Sequence, residues 1–268
     1  MSLAIIIPAA GKGSRLLPAT RALPKELLPV GRRALLDWIG DEALQAGATD
    51  LIIVTSPGKR DLFERHIGAT ATIGHPEDEE VARLWSKLRV NYVVQERPAG
   101  LGDAVRIGRD AARALGYQAA LGVMLPDEIH GGGKTMSRLV AAADRLGGSA
   151  IAAVAVAPHE VSRYGMLECE HDLDGSNHWE ARVLDLIEKP ALGDEPSLYA
   201  SVGRYLLDAA VLKSLDEIEP GAGGELQLAD AIALSALRGD VITALRVDAQ
   251  RLDLGTWDGY THAIATLA

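Results

Sequence analysis

The chain has 268 residues, 48% hydrophobic but only 4% aromatic, with 27 basic and 37 acidic side chains and a net charge of −10. That length suits one large α/β domain, the acidic balance argues against a broad nucleic-acid-binding face, and the single cysteine, Cys169, excludes an intrachain disulfide framework. Apolar runs such as 150–157 are far too short to cross a bilayer. A core poor in aromatics must be built from Ala, Leu, Val and Ile, which suits a parallel sheet covered by helices. Met1-Ser2-Leu3 lacks the basic stretch of a secretory leader, and a reducing, cytoplasmic location is expected.

An apolar run at 3–8 reads as a buried strand. Directly behind it come Ala9, Ala10, Gly11, Gly13 and Ser14. Small residues there let the backbone lie against a ligand, and successive amides in a glycine-rich turn can form an anion-binding nest. Arg15 and Lys25 add a guanidinium fork and an ammonium to the same segment. Residues 1–33 carry six basic side chains against one acid, Glu26, while the rest of the chain is acidic. Positive charge concentrated on one loop fits a small polyphosphate; a solvated basic loop is the plain alternative. Two commoner phosphate motifs are excluded. Leu16 stands where a dinucleotide fingerprint needs its third glycine, and the Gly-Lys-Gly-Ser run at 11–14 lacks P-loop spacing.

Strands are then expected at 51–55, 90–95, 119–125 and 149–156, with helices at 34–47, 78–89, 102–115 and 135–146. Asp50, Gly116, Gly147 and Gly148 mark the turns. This alternation predicts βαβ units in a doubly wound, Rossmann-like α/β fold, its sheet mixed but mostly parallel, with helices on both faces. Beyond 158 the rhythm changes. Strands are expected at 164–169, 180–188, 200–207 and 241–247, a polar stretch at 170–178, and helices at 208–216, 225–238 and 257–267. No repeat or low-complexity linker separates the halves, so one domain over 1–268 is expected, its second part, 151–268, smaller and richer in strands.

Other constellations fall where such a sheet binds ligands, beyond the carboxyl ends of its strands. Gln95 can donate to and accept from a pyrimidine edge at once, and Gly102, opening a helix, could present its amide to a base carbonyl. Asp127 follows a strand and could hold Mg²⁺ against phosphate oxygens; capping the next turn is its plain alternative. Gly165 would admit a sugar ring, Glu188 could accept from sugar hydroxyls, and Lys189 could neutralise a phosphate as a point charge. The seven histidines form no zinc-type cluster, and no G-x-S-x-G elbow supports a hydrolase triad.

Together, G-x-G-[ST]-R, P-A-T and P-K-E-L-L-P-V between Gly11 and Val30 resemble the signature of the sugar-1-phosphate nucleotidyltransferases. The last string resembles the uridylyl-transferring members more than the thymidylyl ones. Q-x-x-P-x-G-L-G-x-A at 95–104, L-P-D at 125–127, Y-G at 164–165, E-K-P at 188–190, V-G-R-Y at 202–205 and D-x-G at 253–255 follow in family order. The resemblance implies condensation of UTP with glucose 1-phosphate to UDP-glucose and pyrophosphate, by Mg²⁺-dependent in-line attack without a protein nucleophile. It places Arg15 and Lys25 on the triphosphate and Lys189 on the sugar phosphate, with Asp127 and Asp253 as metal ligands. It surrounds the nucleotide with Ala9, Ala10, Gly11, Gly13, Glu26, Gln95, Pro98 and Gly102 from the first 150 residues. Gly165, Glu188, Val202 and Gly203 surround the sugar, and a homo-oligomer, dimer or tetramer, is the implied assembly. The chain departs from the pattern at Trp257, where the family usually has a lysine, and is shorter than usual around 68–89. Use of dTTP, of another hexose or cyclitol phosphate, and a silent nucleotide-sugar-binding regulator therefore stay open. The presence of Lys25, Asp127, Lys189 and Asp253 together counts against the silent form.

Overall fold

The computed structural model describes residues 2–174, 179–221, 224–248 and 250–267; the last four residues of the polar stretch 170–178 lie outside them. The first half runs β1 (Leu3–Ala9), β2 (Pro29–Val30), β3 (Arg33–Ala34), α1 (Leu35–Gln45), β4 (Ala48–Thr55), α2 (Arg60–Ile67), α3 (Pro76–Trp85), β5 (Arg89–Val94), α4 (Leu101–Ala114), β6 (Leu121–Met124), β7 (Glu128–His130) and α5 (Thr135–Leu146). The second continues with β8 (Ser149–Ala155), β9 (Gly165–Cys169), β10 (Glu180–Glu188), β11 (Tyr199–Leu207), α6 (Ala209–Ser214), α7 (Leu228–Leu237), β12 (Ile242–Arg246), β13 (Arg251–Asp253) and α8 (Trp257–Leu267).

A nine-stranded sheet, in the order β5-β4-β1-β6-β11-β8-β12-β10-β9, forms the centre. β5, β4, β1 and β6 are mutually parallel. The chain steps outward from β1 through β4 to β5, then returns to place β6 on the other side of β1. The crevice between β1 and β6 is thus the topological switch point, where open α/β sheets bind ligands. The mostly parallel pairing expected from the strand–helix rhythm describes this half. In the other half β11 runs antiparallel to β6, β8 and β9, and only β12 and β8 pair in parallel. A further bridge, Ala200 to Met166, curls β11-β8-β12-β10-β9 into a closed ring.

Alternation along the strands divides the core. Ala4 and Ile6 of β1 face one side, and Ile5, Ile7 and Ala9 the other, all fully buried. α4, α6 and α7 cover the first face; α1, α2, α3 and α5 cover the second. A third apolar cluster joins distant parts of the chain. Leu16, Leu28 and Val30 pack with Ile129, Leu252, Leu254, Tyr260 and Ala263, beside the ribbon of β7 and β13. The Trp257 indole N–H donates to the Leu17 carbonyl at 3.1 Å and the Tyr260 hydroxyl to the Pro29 carbonyl at 2.8 Å. α8 thereby clamps the segment that follows β1.

Three departures from the sequence expectation bear on the site. α2 was not anticipated; it buries only Phe63, too little apolar signal for a helical period. The ribbon of β7 and β13 was not anticipated. The helix expected from 225 starts at Leu228, because 225–227 is held extended against the loop before α4: Leu226 donates to the Ala99 carbonyl, and Gly102 donates to the Leu226 carbonyl, both at 2.8 Å.

Candidate active site

The carboxyl ends of β1, β4, β5 and β6 deliver four segments to one rim: 10–15, 56–59, 95–100 and 125–127. Below this rim a cavity of about 580 Å³ extends toward the closed ring of strands, lined by Arg15, Asp127, Gly165, Glu188, Lys189, Gly203 and Asp253 among others. Seven of the site residues expected from the sequence are therefore assembled on one surface.

Asp127 and Asp253 meet here although 126 positions separate them in the chain. The Leu254 amide donates to the Asp127 carbonyl at 2.7 Å, and Asp253 pairs with Glu128 across the β7/β13 ribbon. Gly255 fits between the two carboxylates. A Cβ on it would stand 3.1 Å from Asp253 Oδ1, a tight contact, and 3.7 Å from Asp127 Oδ2, an ordinary one, so this backbone lies against both carboxylates. The Lys25 ammonium donates to Asp127 Oδ2 at 2.7 Å. Burial alone would push this ammonium down, but Asp127, Glu26 and Asp253 hold it above its ordinary value. Two carboxylates lining one cavity fit Mg²⁺, which takes one or two carboxylates and completes its shell with substrate oxygens and water.

Across the cavity, Lys189 Nζ donates to Glu188 Oε1 at 2.6 Å. Lys189 has φ +46°, the one non-glycine residue in the left-handed region among those described. Such strain persists where the surroundings impose it and concentrates at ligand sites; here the Lys189 amide is bound to the Tyr164 carbonyl at 3.0 Å. Gly165 and Gly203 let carboxylates lie against strand backbone. A Cβ would come within 3.2 Å of Glu188 Oε2 at Gly165 and 3.0 Å of Glu128 Oε2 at Gly203. Arg15 is exposed and has no ion-pair partner among the described residues.

Three of the expected residues are engaged within the protein. The Gly102 amide donates to the Leu226 carbonyl. Gln95 is 5% exposed, and its amide nitrogen donates to Asp103 at 2.8 Å and to the Gly100 carbonyl at 3.2 Å. It braces the loop before α4 from inside. Val202 is 1% exposed and points into the core, while its neighbours Ser201 and Gly203 line the cavity; the two-residue period of a strand forbids all three from facing one way. Ala9 ends β1, and Ala10, Gly11, Gly13 and Pro98 lie on the rim segments; none of them lines the cavity. Glu26 is fully buried with Oε1 unpartnered; burial pushes its carboxyl above the usual range, partly offset by Lys59 and Lys25.

Several residues were not anticipated. Arg251 grips Glu128 bidentately at 2.8 and 2.9 Å. Burial opposes ionisation of Glu128, yet Arg251 and His130 hold it far below the usual carboxylate range. Tyr164 approaches Asp253 Oδ2 at 3.5 Å. Arg204, fully buried, donates twice to Glu42 and also to the carbonyls of Leu125, Gly203 and Glu128. Lys59 hydrogen-bonds the carbonyls of Ala9 and Gly11. The one available signal was positional: Lys59 stands four residues beyond the carboxyl end of β4, on the rim that carries the other loops.

This fold, with its small-residue loop at the switch point and paired aspartates beyond it, belongs to the nucleotidyl transferase family, whose model matches residues 4–268. A UTP–glucose-1-phosphate uridylyltransferase of Pseudomonas aeruginosa is 35% identical over 266 residues, 96% of this chain and 93% of that protein. The enzyme of that name called YngB in Bacillus subtilis is 33% identical over 259 residues, covering 93% and 84%. Among solved structures, a UDP-glucose pyrophosphorylase complexed with UDP-glucose superposes with a TM-score of 0.90 at 29% identity, over 99% of this chain and 98% of the other.

Proposed function

We propose that this enzyme condenses UTP with glucose 1-phosphate, releasing pyrophosphate and forming UDP-glucose. The observation that carries the assignment is the meeting of Asp127 and Asp253 across Gly255, with Lys25 bonded to one and Lys189 facing them over the cavity. The names of the relatives support the same substrates.

A phosphate oxygen of glucose 1-phosphate attacks the α-phosphorus of UTP in line, an O–P bond forms, and the bond to the leaving pyrophosphate breaks. The attacking oxygen is already anionic at neutral pH, so no protein base is needed; the protein positions the reactants and neutralises charge. A Mg²⁺ held by Asp127 and Asp253 would screen the repulsion between the two anionic substrates. Lys25 and the unpaired Arg15 serve the triphosphate and the leaving pyrophosphate. Lys189 exchanges Glu188 for the sugar phosphate, which frees Glu188 to accept from sugar hydroxyls held near Gly165 and Gly203. Ala9, Ala10, Gly11, Gly13, Glu26 and Pro98 belong to the nucleotide side. The first 150 residues serve mainly the nucleotide and 151–268 mainly the sugar, within one domain. A cytoplasmic setting and a dimer or tetramer complete the assignment.

The test is pyrophosphate release with Mg²⁺ from UTP, dTTP, ATP, CTP and GTP, each against several hexose 1-phosphates. The highest kcat/KM is expected for UTP with glucose 1-phosphate. A strict preference for another pair, or UDP-glucose binding without turnover, overturns the proposal.

A further inference from the structure

Lys59 ends the rim segment that follows β4, and its side chain is only 15% exposed. An ammonium has three donors, and Lys59 spends all of them. They go to the Ala9 carbonyl at 3.1 Å, to the Gly11 carbonyl, and to Glu26 Oε2 at 3.4 Å. Within a trans peptide unit C=O and N–H point in opposite directions. Two carbonyls drawn onto one ammonium therefore turn the amides of Ala10 and Lys12 toward the other face of the loop. The Lys12 amide donates to no protein group among the described residues.

We infer that Lys59 is a positioning residue for the triphosphate, which pins the back of the glycine-rich loop so that its amides are aimed at phosphate oxygens. The inference rests on the uridylyl-transfer assignment and adds a residue to it. It gives a small-residue loop, otherwise free to adopt many conformations, a fixed shape before substrate arrives. The alternative is that Lys59 only compensates the buried charge of Glu26. The contacts argue otherwise, since the Glu26 contact at 3.4 Å is the longest of the three.

The experiment measures KM for UTP and for glucose 1-phosphate, kcat and Tm in the wild type, K59R, K59M, E26Q and E26Q/K59M. Loss of charge-assisted hydrogen bonds should raise the KM for UTP ~30-fold in K59M, while the KM for glucose 1-phosphate stays within about threefold. K59R, whose guanidinium still offers several donors, should recover most of the loss. E26Q/K59M should regain Tm but keep a KM for UTP well above that of E26Q alone. A double variant equal to E26Q makes Lys59 a mere counter-ion and overturns the inference, as does a folded K59M with wild-type KM for UTP. A wild type that releases no pyrophosphate from UTP and glucose 1-phosphate overturns the assignment and this inference with it.

Discussion

At the scale of single residues, the site pairs its lysines with its own carboxylates. Lys25 rests on Asp127 and Lys189 on Glu188, both under 3 Å. Truncating a preorganised charge of this kind costs on the order of 3 kcal/mol, about a hundredfold in rate. Lys189→Ala and Asp127→Asn should each lose at least that in kcat while circular dichroism and Tm stay close to wild type. Near-normal turnover in both would remove these residues from the mechanism. Arg204 belongs to a different class. It is fully buried and ties α1 to the backbone on both sides of Asp127 through Glu42, Leu125 and Glu128. Arg204→Met leaves the Glu42 carboxylate buried without its counter-charge, with the Met136 amide as its remaining donor, which should destabilise by about 3–5 kcal/mol, measured by urea unfolding. A loss below ~1 kcal/mol would mean that water reaches Glu42.

At the scale of elements, β11 shows how a strand serves a core and a cavity at once. Val202 and Leu206 pack inward, and Ser201, Gly203 and Tyr205 line the cavity. Gly203→Ala would set a methyl against Glu128, which cannot yield because Arg251 holds both of its oxygens. Such overpacking costs about 1–3 kcal/mol; a lowered Tm and a raised KM for glucose 1-phosphate are expected, and an unchanged Tm would show that Glu128 has room to shift. Much of this was legible in the sequence. The runs at 3–8 and 119–125 are continuous and apolar because both faces of their strands are covered, and that pattern placed Ala9 and Asp127 at strand ends. The extended segment 225–227 was not legible. Its helix-like string Glu225-Leu226-Gln227 lies straight because Ala99 and Gly102 offer backbone partners from another part of the chain, and long-range pairing leaves no local signal. The same pairing takes up the Gly102 amide. Arg251 and Lys59 were hidden for a related reason: each acts on a group far away in sequence.

At the scale of the whole molecule, acidic groups held ionised by fixed cations set the response to pH. Asp50, gripped by Arg89, is lowered to about 2, and Arg251 holds Glu128 well below the usual carboxylate range against the cost of burial. Both folded-state values lie under the ordinary carboxylate range, so the stability they contribute is fully present above pH ~4.5 and is lost as pH falls through the folded-state values. Asp50 accounts for on the order of 2 kcal/mol of this. Urea unfolding at pH 7, 5 and 3.5 should show little change over the first step and a marked loss over the second, smaller in Asp50→Asn. An equal loss in that variant would locate the acid sensitivity elsewhere.

The clamp between α8 and the segment after β1 also has a consequence for the order in which the molecule is made. Leu16, Leu28 and Val30 emerge from the ribosome long before their packing partners at 252–263. The segment after β1 must therefore wait, loosely held, until those partners have been made. Activity is expected only once they have been added, after the sheet beneath has already formed.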